Sequence, residues 1–179
     1  VVMSLTGAFY PAIDLSAGEK ERGTMETLLI SPASRSDIVL GKFFTVFGLS
    51  LITALLNVAS MGVTFLFFLP KGQMSINLPV HLLFYMALIL IPLMALFSAL
   101  CLAVSTFAKS FKEGQNYLNP LIIAAMMPGI VTMLPGFEVN NITCFVPVLG
   151  TTMVFRELFL GSFNYTQLTI VFASTAIYA

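Results

Sequence analysis

The sequence predicts an all-α integral membrane protein, built as a polytopic helical bundle. Three observations carry that class. Hydrophobic residues make up 58% of the 179-residue chain and charged residues 9%, against roughly 25% charged in soluble domains. Uncharged apolar runs recur that are too long and too uniform to be the core helices of a soluble protein. More than half of the charged residues are gathered in one stretch, Asp14 to Lys42. Net charge is zero and the basic residues form no cluster outside that stretch, so there is no electrostatic footprint for nucleic acid. The partner that composition implies is membrane lipid.

Residues 1–13 are apolar, with Tyr10 and Pro11 near the charged end. At about 1.5 Å per residue they are too short to cross a hydrocarbon core of about 30 Å. The chain also closes within an apolar run, 166–179, so a single partial transmembrane domain, truncated at both ends, is expected.

The charged stretch, 14–42, reads as a short amphipathic helix between two spans. Gly23 ends the run Glu19-Lys20-Glu21-Arg22, and Thr24 is expected as the N-cap, with Glu26 on the positive end of the helix dipole. Met25, Leu28 and Leu29 fall at i, i+3 and i+4, a small apolar stripe suited to a groove on a partner. The plainer reading is a solvated turn of helix, such as any loop between spans can form. Pro32 restricts Ser31 and stops the helix. Ser34 and Asp37 have capping-box spacing, so a new helix opens there and runs into the next span.

That span, 43–69, is long enough to cross while tilted. Ser50, Ala54 and Gly62 form a small-residue side for close packing, and Asn57 needs a partner: interhelical glue is one role, a substrate contact the other. After a short turn at Pro70 to Pro79, residues 82–108 form a span weakened at Pro92, with Ala95, Ala99 and Ala103 as a packing face. His81 stands alone at its head and reads as an interfacial residue rather than a metal ligand. No metal site is predicted.

Lys109 and Lys112 join Lys20, Arg22, Arg35 and Lys42 on one side, against Lys71 and Arg156 on the other. The positive-inside rule makes the 14–42 loop cytosolic. Residues 117–134 form a span expected to be broken or bent by Pro120 and Pro128-Gly129, and broken helices often line pathways. Asn57, Asn119 and Pro128 are therefore the candidate pathway residues. In the outer region, 135–165, the segments Ile142 to Leu149 and Thr151 to Leu160, divided by Pro147 and Gly150, are below spanning length and read as re-entrant half-helices. Glu138, Arg156 and Glu157 are the outer charges, and Asn141-Ile142-Thr143 and Asn164-Tyr165-Thr166 match the glycosylation sequon. Cys101 in a span and Cys144 in a loop give no reason to expect a disulfide.

No GxxxxGK[ST] loop, G-x-S-x-G elbow or H-E-x-x-H helix is present. The chain is not read as an enzyme, and it holds no cofactor of its own. Energy for any work must come from a partner.

The run Glu21-Arg22-Gly23-Thr24-Met25-Glu26-Thr27-Leu28-Leu29, then Ser31-Pro32, then Arg35 to Lys42, resembles the intracellular loop of ABC-2 type transporter permeases, most closely their sodium-extrusion branch. Ser110-Phe111-Lys112-Glu113, Tyr117-Leu118-Asn119-Pro120-Leu121 and Leu134-Pro135-Gly136 resemble the same branch. The resemblance implies a permease subunit in the inner (plasma) membrane of the cell. Its coupling helix would seat Glu21, Arg22, Gly23, Thr24, Met25, Glu26, Leu28, Leu29 and Pro32 in an ABC ATPase that holds ATP and Mg. It further implies a second permease copy, two half-helices before the last span, and export of a substrate, with sodium as the named candidate. A non-transporting membrane scaffold that recruits a soluble partner through 14–42 is the rival reading. An intramembrane enzyme is the third.

Overall fold

The computed structural model describes residues 1–68, 80–132, 145–160 and 165–179, and every regular element among them is helical. The turn around Lys71, the segment holding Pro135, Glu138 and Cys144, and Asn141 and Asn164 of the two sequons lie outside the described residues, as do the side chains of Leu29 and His81.

The first apolar run does not stop at the charged stretch. Helix α1 (Val2–Ile13) passes into a π-helical turn (Asp14–Gly18) and then α2 (Glu19–Glu21) without a break. The result is a rod of roughly 30 Å. Its continuation is legible at Ser16. That hydroxyl donates to the Ala12 carbonyl, and so does the Ser105 hydroxyl from a neighbouring helix, at 3.0 Å. A carbonyl engaged by two hydroxyls favours the wider π turn over the regular ladder. Ser16, Ala17 and Gly18 are buried, so what reads as the head of a loop is a packed helical face.

Helix α3 (Thr24–Leu29) follows a sharp turn, and α4 (Arg35–Phe68) opens with the Asp37 amide donating to Ser34 Oγ at 3.2 Å. At roughly 50 Å, α4 is much longer than the hydrocarbon core. It is also apolar and little buried, with Phe44, Leu49, Ile52, Leu56 and Val63 exposed. A soluble protein does not leave so long an apolar flank open to water. On the opposite side Ser50 and Ala54 are buried, and Ser50 lies 3.1 Å from the Ser98 hydroxyl.

Helix α5 (Val80–Phe107) runs unbroken through Pro92, and α6 (Phe111–Val131) runs unbroken through Pro120 and Pro128. The break expected in 117–134 is therefore absent among the described residues: each proline removes one amide donor without ending the helix. The expected alanine face of α5 is also corrected. Ala95 and Ala99 are half-buried and Ala103 is exposed, whereas Leu93, Met94, Phe97 and Cys101 form the buried face. Large side chains bury more apolar area than alanines and so set the orientation.

Helix α7 (Pro147–Leu160), 14 residues, is too short to span, and α8 (Tyr165–Tyr178) follows it. Gly150 does not divide α7, because a single glycine inside a packed helix costs only about 1 kcal/mol. The main core joins α1, α4, α5 and α6 through Leu5, Phe9, Ile13, Val46, Phe97 and Leu118. A second cluster, including Met86, Val154, Leu158 and Val171, fastens α7 and α8 to α5.

Candidate functional site

The charged stretch forms a buttressed projection at one end of the bundle. Gly23 has φ 72° and serves as the N-cap of α3. This corrects the expectation for Thr24. A left-handed residue is needed to turn the chain sharply between α2 and α3, and glycine adopts it without steric cost. Thr24 lies inside the helix, and its hydroxyl donates back to the Glu19 carbonyl at 3.2 Å. At the far end the Ser31 hydroxyl donates to the Leu28 carbonyl at 2.7 Å, closing the turn before Pro32.

Three consecutive residues of α2 tie this projection to three different helices. The Glu19 carboxylate pairs with Lys42 of α4, their side chains only 22% and 13% exposed. Lys42 Nζ also donates to the Leu15 carbonyl at 2.6 Å and lies 3.9 Å from Met25 Sδ. The Lys20 ammonium donates to the carbonyls of Thr106 and Ala108, where α5 ends. Glu21 Oε2 accepts from the Phe111 amide at 2.7 Å, where α6 begins. A cation at a helix C-terminus and an anion at a helix N-terminus each match the local dipole. Lys20 and Glu21 together therefore grip both arms of the α5–α6 elbow.

The elbow is capped from its own sequence as well. The Glu113 amide donates to Ser110 Oγ at 3.2 Å, and the Lys109 amide donates to Glu113 Oε2 at 2.8 Å. The Tyr117 hydroxyl donates to Glu113 Oε1 at 2.7 Å. That hydroxyl and the Lys109 amide hold the Glu113 carboxyl below its ordinary range. A hydroxyl pair, Ser16 to Ser105 at 2.6 Å, fixes the π turn to α5 just inside the elbow.

Thr24, Glu26 and Thr27 are exposed, whereas Met25 and Leu28 are half-buried. Ile30 is 84% exposed. Ile30 closes the segment expected to dock, Thr24 to Ile30, but is not one of the residues singled out for contact there. The available signal was a large aliphatic side chain at the end of a charged helix. Glu21 and Arg22 turn toward their own chain: Arg22 Nη2 donates to Asp14 Oδ1 at 2.7 Å.

Of the candidate pathway residues, Asn57 lines a cavity of about 380 Å³ together with Ser4, Ser60, Met61 and Met86. Its Nδ2 donates to Thr53 of its own helix at 2.7 Å, so the interhelical bond expected of it is replaced by an intrahelical one. Asn119 is exposed on α6 and Pro128 half-buried, and neither lines that cavity.

A helical bundle with a long exposed apolar flank and a short charged helix braced at one end is the architecture of a polytopic membrane protein. The sequence profile described as ABC-2 family transporter protein matches residues 2–178, and the chain belongs to that family. It is similar to the ABC transporter permease protein NatB of Bacillus subtilis (strain 168), with 26% identity over 161 residues, covering 88% of this chain and 42% of that protein. The chain thus spans less than half the length of this relative. No solved structure matches it.

Proposed function

We propose that this chain is part of the plasma-membrane permease of an ABC exporter, with α3 as the element through which a separate ATPase drives transport. The observation that carries the reading is the clamp of Glu19, Lys20 and Glu21, which ties the base of α3 to α4, α5 and α6 at once. A solvated loop has no need of such bracing; a lever does. In this reading Glu26, Thr27 and Ile30 meet the ATPase. Met25 and Leu28 hold α3 to its own domain, with Met25 beside Lys42. Closure of the ATPase on ATP and Mg pushes α3 inward. The clamp passes the displacement to the elbow, and a second permease copy moves in concert across the pathway.

The cytosolic placement of 14–42 is supported by the contacts that bring it to the same end as Lys109 and Lys112, the remaining basic residues of that side. Sodium is the proposed cargo, and it rests on the resemblance of the loop.

The test is disulfide trapping in the full permease with its cognate ATPase, using Ile30→Cys against cysteines placed around the ATPase cleft, followed by ATP-dependent sodium efflux from vesicles. Nucleotide-sensitive trapping with efflux is the expected result. Trapping without any ATP-driven flux would favour the scaffold, and an Ile30 cysteine that labels only from outside the cell would end both readings.

A further inference from the structure

Between α1, α4 and the start of α6 lies an open groove of about 470 Å³, walled by Tyr10, Leu15, Leu49 and Phe111, with Asp14 and Thr45 as its polar members. Its size is that of a ligand cleft, roughly 300–1,000 Å³. Its position is specific. Tyr10 is exposed and stands one helical turn before Asp14, where the apolar run gives way to the charged stretch. An amphipathic aromatic at such a boundary marks the level of lipid headgroups.

The charges beside the groove are of both signs. Asp14 is bound to Arg22 by one contact, Nη2 to Oδ1 at 2.7 Å, with the side chains 48% and 65% exposed. Among the described residues Asp14 Oδ2 and the other guanidinium nitrogens of Arg22 make no hydrogen bond or ion pair. An ion pair joined at one point leaves an acceptor and several donors facing solvent. A purely anionic headgroup meets the Asp14 carboxylate, and a purely cationic amphiphile meets the Arg22 guanidinium. A headgroup with a phosphate and a primary ammonium satisfies both.

We propose that this groove is a phospholipid site selective for phosphoethanolamine headgroups of the inner leaflet. An acyl chain lies against Leu15, Leu49 and Phe111, the ammonium donates to Asp14, and the phosphate accepts from Arg22. Choline is disfavoured because its quaternary nitrogen has no hydrogen to donate. The site takes its sidedness from the proposed function but does not depend on the ATPase or on the cargo, and its occupancy is read without nucleotide.

The test uses the full permease in nanodiscs containing equal fractions of phosphatidylethanolamine, phosphatidylcholine and phosphatidylglycerol, with retained lipid identified by native mass spectrometry. Ethanolamine lipid is expected to be enriched about tenfold over the other two, the discrimination of one charge-assisted hydrogen bond. Asp14→Asn should abolish the preference over choline, and Arg22→Gln should lower retention of all three. Leu49→Trp fills the groove without touching either charge, and should remove the bound lipid while the Asp14 and Arg22 variants remain comparable in fold to the parent. Equal retention of the three lipids by the parent would overturn the proposal, as would enrichment unchanged by Leu49→Trp. A cysteine at Leu49 that cross-links to another span or to a second permease copy, with no lipid retained, would also overturn it by showing protein in the groove.

Discussion

Replacing Glu21 by alanine should loosen the α5–α6 elbow while leaving α3 able to meet its partner. The carboxylate accepts from the Phe111 amide at 2.7 Å at the first turn of α6. Hydrogen bonds to charged groups contribute about 1.5–3 kcal/mol, and an anion at a helix N-terminus about 0.3–1 kcal/mol. The site is exposed, so water can replace the lost acceptor, and the low end, about 1.5 kcal/mol, is the appropriate figure. That corresponds to roughly a tenfold rise in the population of open elbow. Hydrogen–deuterium exchange of the peptide covering residues 108–118 reads this directly, since local opening sets amide exchange.

Glu26→Ala is the control. Glu26 sits on the exposed side of α3 and makes no contact with the elbow among the described residues. It should leave exchange at 108–118 unchanged and reduce trapping of α3 by the ATPase. Glu21→Ala should do the reverse, with ATP hydrolysis retained and flux per ATP lowered. If exchange at 108–118 in Glu21→Ala stays within about twofold of the parent, the bond carries no strain between α2 and α6, and transmission through this residue is refuted.

The Glu19–Lys42 pair supports a second prediction. Lys42→Met strands a carboxylate that is only 22% exposed. The cost should be about 2 kcal/mol, below the 3–5 kcal/mol of a fully buried pair because some solvent remains. Thermal unfolding in detergent should show Glu19→Leu with Lys42→Met to be more stable than either single variant. Gly23→Val puts a β-branched side chain at φ 72°, at a cost of about 1–2 kcal/mol. It should shift α3 and lower trapping at Ile30 although no neighbouring atom lies within 4 Å of the added Cβ. Acid supplies a fourth prediction. The folded Glu113 carboxyl titrates below its unfolded value, so its contribution is complete above the ordinary Glu range and is lost as pH falls through the folded value. Protection of the Lys109 amide should therefore decline in acid, and the difference between parent and Glu113→Gln should vanish there. A difference that grows as pH falls would contradict this.

The class of the protein was legible because long uncharged runs have few physical solutions, and a helix is the one that satisfies its own backbone in lipid. The caps at Ser34 and the stop at Pro32 were legible because they rest on local chemistry. Helix boundaries that depend on tertiary partners were not. Asp14 to Gly18 has the small and polar residues of a loop, yet hydroxyl groups from Ser16 and from Ser105, 93 positions beyond Ala12, hold it helical. Pro120 and Pro128 mark breaks in isolation and do not break α6, which runs on from its Ser110 cap through both. The S-x-x-E spacing of Ser110 and Glu113 could have announced the start of α6.

The same distinction governs the charged stretch itself. Read along the sequence, Glu19, Lys20, Glu21 and Arg22 are one hydrophilic run directed at a partner. On a helix, successive side chains point about 100° apart, so neighbours in a run cannot share a target. Here Glu19 reaches α4, Lys20 the end of α5 and Glu21 the start of α6, while Arg22 returns to Asp14. Glu19, Lys20 and Glu21 are held within the chain and Arg22 is tied at one point to Asp14, so on α3 and its C-cap Thr24, Glu26, Thr27 and Ile30 face outward. A short helix anchored to three helices at its base and free at its tip can pass on a push without bending, whereas the same residues in an unbraced loop would dissipate it locally. The charges of Glu19, Lys20 and Glu21 are therefore taken up by bracing, and the face of α3 left to a partner is smaller than the sequence alone suggests, with Ile30 as its one large exposed apolar side chain among the described residues.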